Sequence, residues 1–348
     1  MADYSDALLS AALHTLNERM QRPEFRKKPS AALTAFQKSG EFLIPATARE
    51  EMYQTKKSDS QTAEIHLLSK RSASTITARA YNHTESNGDS IKETLTFATY
   101  GAKFKYSLKQ ADRSFWALAE QISADIRSAF IAIHAQIEAA AIAKLAADKS
   151  QVVKSLSPSG GTWDATNFIF QVANANGKTF LEKVRSFMVQ QYLQDDTELI
   201  HSPGLNSIVN YVLNQGVGNA ENLAWQAAGF SGSYNSVDLS EAGYEGIGYA
   251  FPFGSIGVVD WIPSLNRAGN RVDPFAVGGA YGTIADPFGS GLTFALHQYA
   301  AGADNQSGAG ERQDVNIYGE ITCDLAFVVA PESTANQSAV YKVGLLDT

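Results

Sequence analysis

From Asp112 to Ala147 the chain carries no Gly and no Pro, and its apolar residues recur at Phe115, Leu118, Ile122, Ile126, Phe130, Ile133, Ile137, Ala141 and Leu145. Steps of three and four put them on one stripe of a single helix, flanked by Glu120, Asp125, Arg127, Glu138 and Lys144. At 1.5 Å per residue the rod spans roughly 54 Å, several times the ordinary helix. Val315–Val329 alternates instead. Val315, Ile317, Ile321, Cys323, Leu325, Phe327 and Val329 share one face, and Asn316, Tyr318, Glu320, Thr322 and Asp324 take the other. Gly319 is the gap in the apolar row. Such a strand is half-buried by period and spans roughly 50 Å. A helix and a strand of matched length predict one helix-on-sheet layer.

Residues 5–20 predict a short amphipathic helix with Leu8, Leu9, Ala12, Leu13 and Leu16 on one side. The basic stretch Gln21–Lys28, interrupted by Pro23 and followed by Pro29, reads as an arm lying along another surface. Glu41–Pro45 predicts a short apolar strand.

Two segments rich in Thr, Ile, Tyr and Phe, Ala63–His83 and Ser90–Leu108, flank Glu85-Ser86-Asn87-Gly88-Asp89. Asn-Gly between strand patterns is a strong hairpin signal. Two long strands cannot bury a face alone, so the hairpin folds onto its own subunit or lies across a neighbour. Its distal end is polar, with His83, Glu85, Asp89, Lys92 and Glu93.

Beyond a Ser/Pro/Gly break at 155–161, Trp163–Val172 is β-like. Thr179 can cap a helix reaching Leu193, with Leu181, Val184, Phe187, Met188 and Tyr192 buried. Glu198–His201 predicts a strand, and Pro203-Gly204 leads into a helix over Leu205–Leu213 ending at Gly216. From Gly216 to Gly310 the composition turns to Gly, Ala, Ser, Asn and aromatics. Residues 246–254 and 255–262 predict a hairpin with a Phe251-Pro252-Phe253-Gly254 corner, Leu292–Tyr299 a strand, and Ala300–Glu311 a polar loop.

With 348 residues, 44% hydrophobic and 18% charged, the chain is ordinary globular material with length for two or three units. A net charge of -8 forces no nucleic-acid reading. Cys323 is the only cysteine, so no intrachain disulfide forms and the residue reads as a small core side chain. No apolar run approaches a membrane span, and residues 1–20 lack a signal peptide's three regions, which predicts a protein kept in a cytosol or released by lysis.

Chemistry is sparse. The six histidines, at 14, 66, 83, 134, 201 and 297, show no metal-ligand spacing. His134 reads as a surface or satisfied core histidine. Asp195-Asp196-Thr197-Glu198 with His201 is the nearest approach to a carboxylate–imidazole cluster and reads as a solvated turn entering a strand. Asn176-Gly177-Lys178-Thr179 resembles the end of a phosphate loop, but Val172 stands where a Gly is required. No Gly-x-Ser-x-Gly elbow occurs. No catalytic residue, cofactor or metal is therefore assigned. The arm, the hairpin and the long helix–sheet layer describe a building block.

That order of elements resembles the major capsid protein of tailed bacteriophages, the Hong Kong 97-like fold. Phe42-Leu43-Ile44-Pro45, Glu198-Leu199-Ile200-His201-Ser202-Pro203-Gly204-Leu205 and Asp286-Pro287-Phe288-Gly289-Ser290-Gly291-Leu292 resemble stretches of phage coat proteins. The resemblance implies an α+β chain with an N-terminal arm (1–40), an entry to the peripheral domain (41–59) and an extended β-hairpin, the E-loop (60–107). A peripheral domain (108–180) with spine helix 112–147 and a long-stranded sheet, an α/β axial domain (181–310), and a return strand with C-terminal tail (311–348) follow. It further implies self-assembly as pentamers and hexamers into a virion shell built in the host cytoplasm around double-stranded DNA, held without sequence specificity. A portal, and separate scaffolding or decoration proteins, would be partners, and no membrane. Some relatives begin with a scaffolding segment of about a hundred residues; with some forty residues ahead of the body, a separate scaffold is expected here. Candidate intersubunit contacts are Arg22, Arg26, Lys27 and Lys28 in the arm, His83, Glu85, Asn87, Gly88, Asp89 and Lys92 in the hairpin, and Phe251 and Phe253 at the corner. The arm's basic cluster could meet DNA or an acidic patch of a neighbour. An encapsulin-type compartment and a soluble α/β enzyme are the alternative readings.

Overall fold

A computed structural model describes residues 2–20, 30–44, 49–50, 52, 62–68, 90–107, 115–154, 160–193, 196–215, 229–267, 271–272, 280–302, 315–331 and 336–347. The fold is mixed α+β and forms two compact units. Unit 1 comprises Met1–Ser30, Phe97–Glu138 and Asp260–Ala326, and unit 2 comprises Ala31–Thr96, Ala139–Val259 and Phe327–Thr348.

Unit 1 is built on helix α3, Phe115–Asp148, which enters it as far as Glu138. Its predicted stripe is the buried face: Leu118, Ile122, Ile126, Phe130, Ile133 and Ile137 are all buried, and Ala141 and Leu145 continue it in unit 2. By length and composition Leu118–Asp148 could cross a membrane, contrary to the sequence expectation that no segment reaches that measure. The stripe is covered by protein instead, and other positions carry the exposed Glu120 and Asp125 and a Lys144–Asp148 ion pair of 2.7 Å. Helix α1, Ala2–Met20, buries Leu9, Ala12 and Leu16, and its Arg19 reaches Glu120 of α3 at 3.1 Å. That part of the arm therefore packs on its own subunit.

The sheet of unit 1 contains β3 (Ala98–Ser107), β10 (Arg271–Val272), β11 (Ala280–Ala285), β12 (Thr293–Gly302) and β13 (Val315–Val329) in the antiparallel order β10-β11-β12-β13-β3. Phe130 of α3 meets Phe294 of β12 edge-on at 5.1 Å. In β13 the apolar row holds through Ile317, Ile321, Cys323 and Leu325, then both faces are covered from Ala326 to Val329, with Val328 and Val329 buried and Phe327 half-buried. The gap at Gly319 is filled from the facing strand. Phe104 lies opposite it, and a Cβ on Gly319 would come within 2.1 Å of the Phe104 ring.

Three of the expected strand assignments change here. Glu41–Pro45 is not a strand: Ala31–Leu43 forms helix α2, burying Ala32, Leu33, Ala35, Phe36, Ser39 and Gly40 at helical spacing. A short apolar run does not separate strand from helix, and the Ala-rich stretch before it decides. The 60–107 hairpin is also divided. β1 (Thr62–Leu68) pairs with β2 (Ser90–Thr96), with Leu68 opposite Ser90, whereas a two-residue turn at Asn87-Gly88 would set Leu68 opposite Ser107. Ser107 pairs with Asn316 of β13. The expected turn lies outside the described residues.

Unit 2 holds a second, mixed sheet in the order β4-β5-β14-β8-β6-β7. Its strands are β4 (Thr162–Asp164), β5 (Ile169–Val172), β6 (Thr197–His201), β7 (Phe230–Asn235), β8 (Tyr244–Pro252) and β14 (Tyr341–Leu346). Helix α4, Phe180–Gln190, buries Phe180, Leu181, Val184, Phe187 and Met188. Phe187 stacks on Phe170 at 4.3 Å and meets Tyr341 edge-on at 5.1 Å. Tyr192, expected on the buried side, is 68% exposed, because the helix has ended and Tyr192 sits at φ 62. The third change concerns 246–262: β8 and β9 (Ile256–Trp261) do not pair with each other, β8 lying between β14 and β6 while β9 pairs with β13. The Ser39 hydroxyl of α2 accepts the Gly254 N–H at 2.8 Å and holds the corner between them. β14, in a segment read as a tail, is an interior strand of this sheet.

Replacing Gly319 by Val should destabilise the protein by about 1–3 kcal/mol through overpacking against Phe104. Adding Phe104→Ala should recover part of that loss in urea unfolding, since the two side chains compete for one volume; equal, additive losses would contradict this geometry.

Candidate functional site

Of the three carboxylates buried among the described residues, Glu138 accepts the Ser30 hydroxyl, and Asp286 in unit 1 and Glu198 in unit 2 both have perturbed acidity. In unit 1, Asp286 leaves β11 in the loop to β12, which turns through Pro287-Phe288-Gly289-Ser290. Its side chain accepts the N–H groups of Phe288 at 3.0 Å and Ser290 at 3.1 Å, and lies 3.0 Å from His134 Nε2 on α3. The Asp286 N–H closes the loop on the Leu292 carbonyl at 3.0 Å. Burial works against the ionised carboxyl, but the His134 hydrogen bond and charge and the Ser290 and Phe288 donors outweigh it and hold the pKa below its ordinary value. His134 packs against Phe288 at 5.5 Å and is a core histidine, one of the two roles the sequence allows.

In unit 2, Thr197 and Glu198 belong to β6, which is buried at every residue, and not to the solvated turn read over Asp195–Glu198 from the sequence. Glu198 is 3% exposed. The Tyr234 hydroxyl of β7 donates to its Oε1 at 3.0 Å, and Oε2 has no hydrogen-bond partner among the described residues. Gly232, opposite Glu198 in the ladder, makes the room: a Cβ there would sit 2.7 Å from Oε1. Burial raises the Glu198 pKa, against smaller opposing effects of the Tyr234 bond and the Lys38 charge. The same burial, with Glu198 beside it, pushes the Tyr234 hydroxyl up. His201 points away from this pair's chemistry. Its Nδ1 is 3.0 Å from the Ser202 carbonyl and its Nε2 3.0 Å from the Ser233 hydroxyl, and burial lowers its pKa, with the Ser202 bond opposing. A neutral imidazole donating from Nδ1 and accepting at Nε2 satisfies both contacts.

Glu198 lies at a cavity of about 360 Å³, with Asp196, Lys38, Tyr234 and Phe253 among its lining residues. Lys38 Nζ sits 5.6 Å from the centre of the Tyr234 ring. Phe253 packs edge-on against Phe42 at 4.7 Å, and Phe42 is 69% exposed. No group of three or more His, Cys, Asp or Glu able to hold a metal occurs among the described residues. Cys323 is buried, and burial raises its thiol pKa, with nearby Asp260, Asp324 and Asp286 adding to the shift.

Of the contact residues named from sequence, Arg22, Arg26, Lys27, Lys28, His83, Glu85, Asn87, Gly88 and Asp89 lie outside the described residues. Lys92 is in β2, opposite His66. Phe253 is half-buried at the cavity. Phe251 is fully buried opposite Glu198. Alternation along β8 does not distinguish these, because Ile247 to Pro252 are all buried. The Glu198–Tyr234 pair was missed; a Glu inside an apolar strand was the available signal.

No family model matches the chain, and no curated protein matches it. Among solved structures it is similar to a chain from Mycobacterium phage Adephagia, at 13% identity and a TM-score of 0.46 over 93% of this chain and 92% of that one. It is also similar to a chain from the capsid structure of the cyanophage P-SCSP1u (13% identity, TM-score 0.36, 83% and 84% covered). A chain of the virus-like particle from Pyrococcus furiosus is similar at 10% identity and a TM-score of 0.37, over 98% of this chain and 99% of that one.

Glu198→Gln keeps an acceptor for Tyr234 and should raise stability at neutral pH. A carboxyl whose folded pKa is raised disfavours folding above that pKa, so the gain should shrink as pH falls toward the ordinary value of 4.5. Asp286→Asn should behave oppositely. Its carboxylate stabilises the fold above the ordinary value of 3.8, so the variant should lose about 2 kcal/mol at neutral pH and approach the parent as pH falls through the lowered pKa. Thermal or urea unfolding across pH reads both.

Proposed function

We propose that this chain is the major capsid protein of a tailed bacteriophage, with a Hong Kong 97-like fold, assembling as pentamers and hexamers into an icosahedral or prolate shell around double-stranded DNA. The observation that carries the reading is the helix–sheet layer of unit 1. A long helix buries one stripe against a sheet whose β13 has 15 residues, and the 34 residues of α3 are three times an ordinary helix. Supporting it, β1 and β2 form a two-stranded sheet with no third strand among the described residues. A two-stranded sheet is marginal in water by itself, and its unpaired edges suit contact with another subunit.

On this reading residues 1–40 are the arm, β1–β2 with the chain between them form the E-loop, and α3 is the spine helix. We assign the sheet of β3 and β10–β13 to the peripheral domain, which takes residues 271–302 out of the axial domain expected over 181–310, and the α4–β8 region to the axial domain. Repeated weak contacts close the shell, since each subunit is held by several neighbours at once. DNA is content without sequence readout, and portal, scaffolding and decoration proteins are expected partners.

Replacing residues 69–89 by a short Gly-Ser turn should leave a folded subunit, as judged by circular dichroism and unfolding, and abolish closed shells in negative-stain microscopy. Normal shells from that variant would remove the hairpin from the assembly contacts. A parent protein that stays a monomer or dimer, with or without its phage partners, would overturn the capsid reading and favour a soluble enzyme. Shells enclosing protein in place of DNA would move it to an encapsulin-type compartment.

A further inference from the structure

The geometry points to the Glu198 cavity as a socket for the guanidinium or ammonium group of an arginine or lysine side chain from a second copy of this chain. The inference rests on the self-assembly reading for its partner but not for its chemistry. A carboxylate with one oxygen engaged by Tyr234 and the other unpartnered requires a donor once water is excluded. Asp196 adds a second acidic group, and Tyr234 and Phe253 supply aromatic surface of the kind that attracts a cation to a ring face. Gly232 leaves room for the Glu198 carboxylate and the Tyr234 hydroxyl, so the position of the pair is built into the strand pairing.

Lys38 shows where such a charge is welcome and why the socket is still open. Its Nζ rests toward the Tyr234 ring, and no ion pair joins it to Glu198. Glu198 Oε2 is buried, so an incoming guanidinium reaches it as the carboxylate turns toward the cavity and the exposed Lys38 swings toward solvent, relieving the like-charge contact.

The surroundings favour a protein partner. β7, which supplies Ser231 to Tyr234, is the edge strand of its sheet. Beside the cavity, Phe42 is exposed and braced on Phe253. An exposed aromatic next to a desolvated charge pocket is the composition of an interface anchor.

The test titrates full-length, unassembled protein with methylguanidinium and follows the amide signals of Gly232 and Tyr234 by NMR. Saturable shifts confined to this region are expected. Glu198→Gln should weaken binding at least tenfold, Phe253→Ala several-fold, and Lys38→Met should strengthen it by removing the competing charge. Absent or non-saturable shifts, or unchanged affinity in Glu198→Gln, overturn the socket; should that variant misfold, the Phe253→Ala and Lys38→Met titrations decide by the same criteria. Assembled particles should no longer take up the probe, because a neighbour fills the site. Equal uptake by particles and free subunits overturns the second-copy assignment. Failure to form any particle overturns the capsid reading, while the titration in solution still decides the socket.

Discussion

The buried stripe of α3 is the constraint from which the rest of unit 1 follows. A one-sided helix of 34 residues is not stable in water on propensity alone and needs a continuous apolar surface along its length. The 15 residues of β13 rise by about 50 Å, matching a helix of about 51 Å. No short strand could offer that. Within unit 1 the stripe meets the sheet where Phe130 packs edge-on against Phe294 of β12, and the one interruption in the apolar row of β13, Gly319, is capped by the Phe104 ring from the next strand. The missing side chain is replaced by a neighbour's, so the apolar face of the sheet stays unbroken there.

The same length explains what was readable in the sequence. Period is a local property, and both α3 and β13 repeat their period often enough that no competing pattern fits; the helix stripe was legible residue by residue. Register is not local. Asn87-Gly88 is a genuine turn signal, yet β3 finds its partner in β13, more than two hundred residues later, and the β-rich stretch is cut at Phe97 between two sheets. The 246–262 corner failed for the same reason. Adjacent strands joined by a tight corner suggest a hairpin, but β8 and β9 each have better partners elsewhere. Phe42-Leu43-Ile44 was too short to declare a period, and the Ala-rich turn before it settled the helix.

The polar interior was less legible still, since the side-chain partners of Asp286 and Glu198 are remote in sequence. His134 and Asp286 are 152 positions apart, and Glu198 and Tyr234 are 36 apart. Nothing in either local pattern marks the partner. What the sequence does show is a charged residue inside an apolar strand, and such a residue is stable only with a partner, a shifted pKa or a ligand.

Comparing the two carboxylates separates those possibilities. Both are buried, and burial alone would raise the pKa of each. Asp286 receives two backbone N–H groups and the His134 ring, and its pKa falls below the ordinary value. Its charge is fully used in closing the loop onto α3. Glu198 receives one hydroxyl, and its pKa rises. A carboxylate with a purely structural task would be expected to resemble Asp286, because an unpartnered buried oxygen costs about 1–3 kcal/mol, more for a charged group, and a Gln of the same shape would avoid the added cost of the charge. Retaining Glu198 behind Gly232, in a cavity with an aromatic wall, makes sense when the missing donor arrives from outside the subunit. On the proposed assembly, stability given up in the free chain would be returned in the assembled one, and folding and assembly would become separate steps.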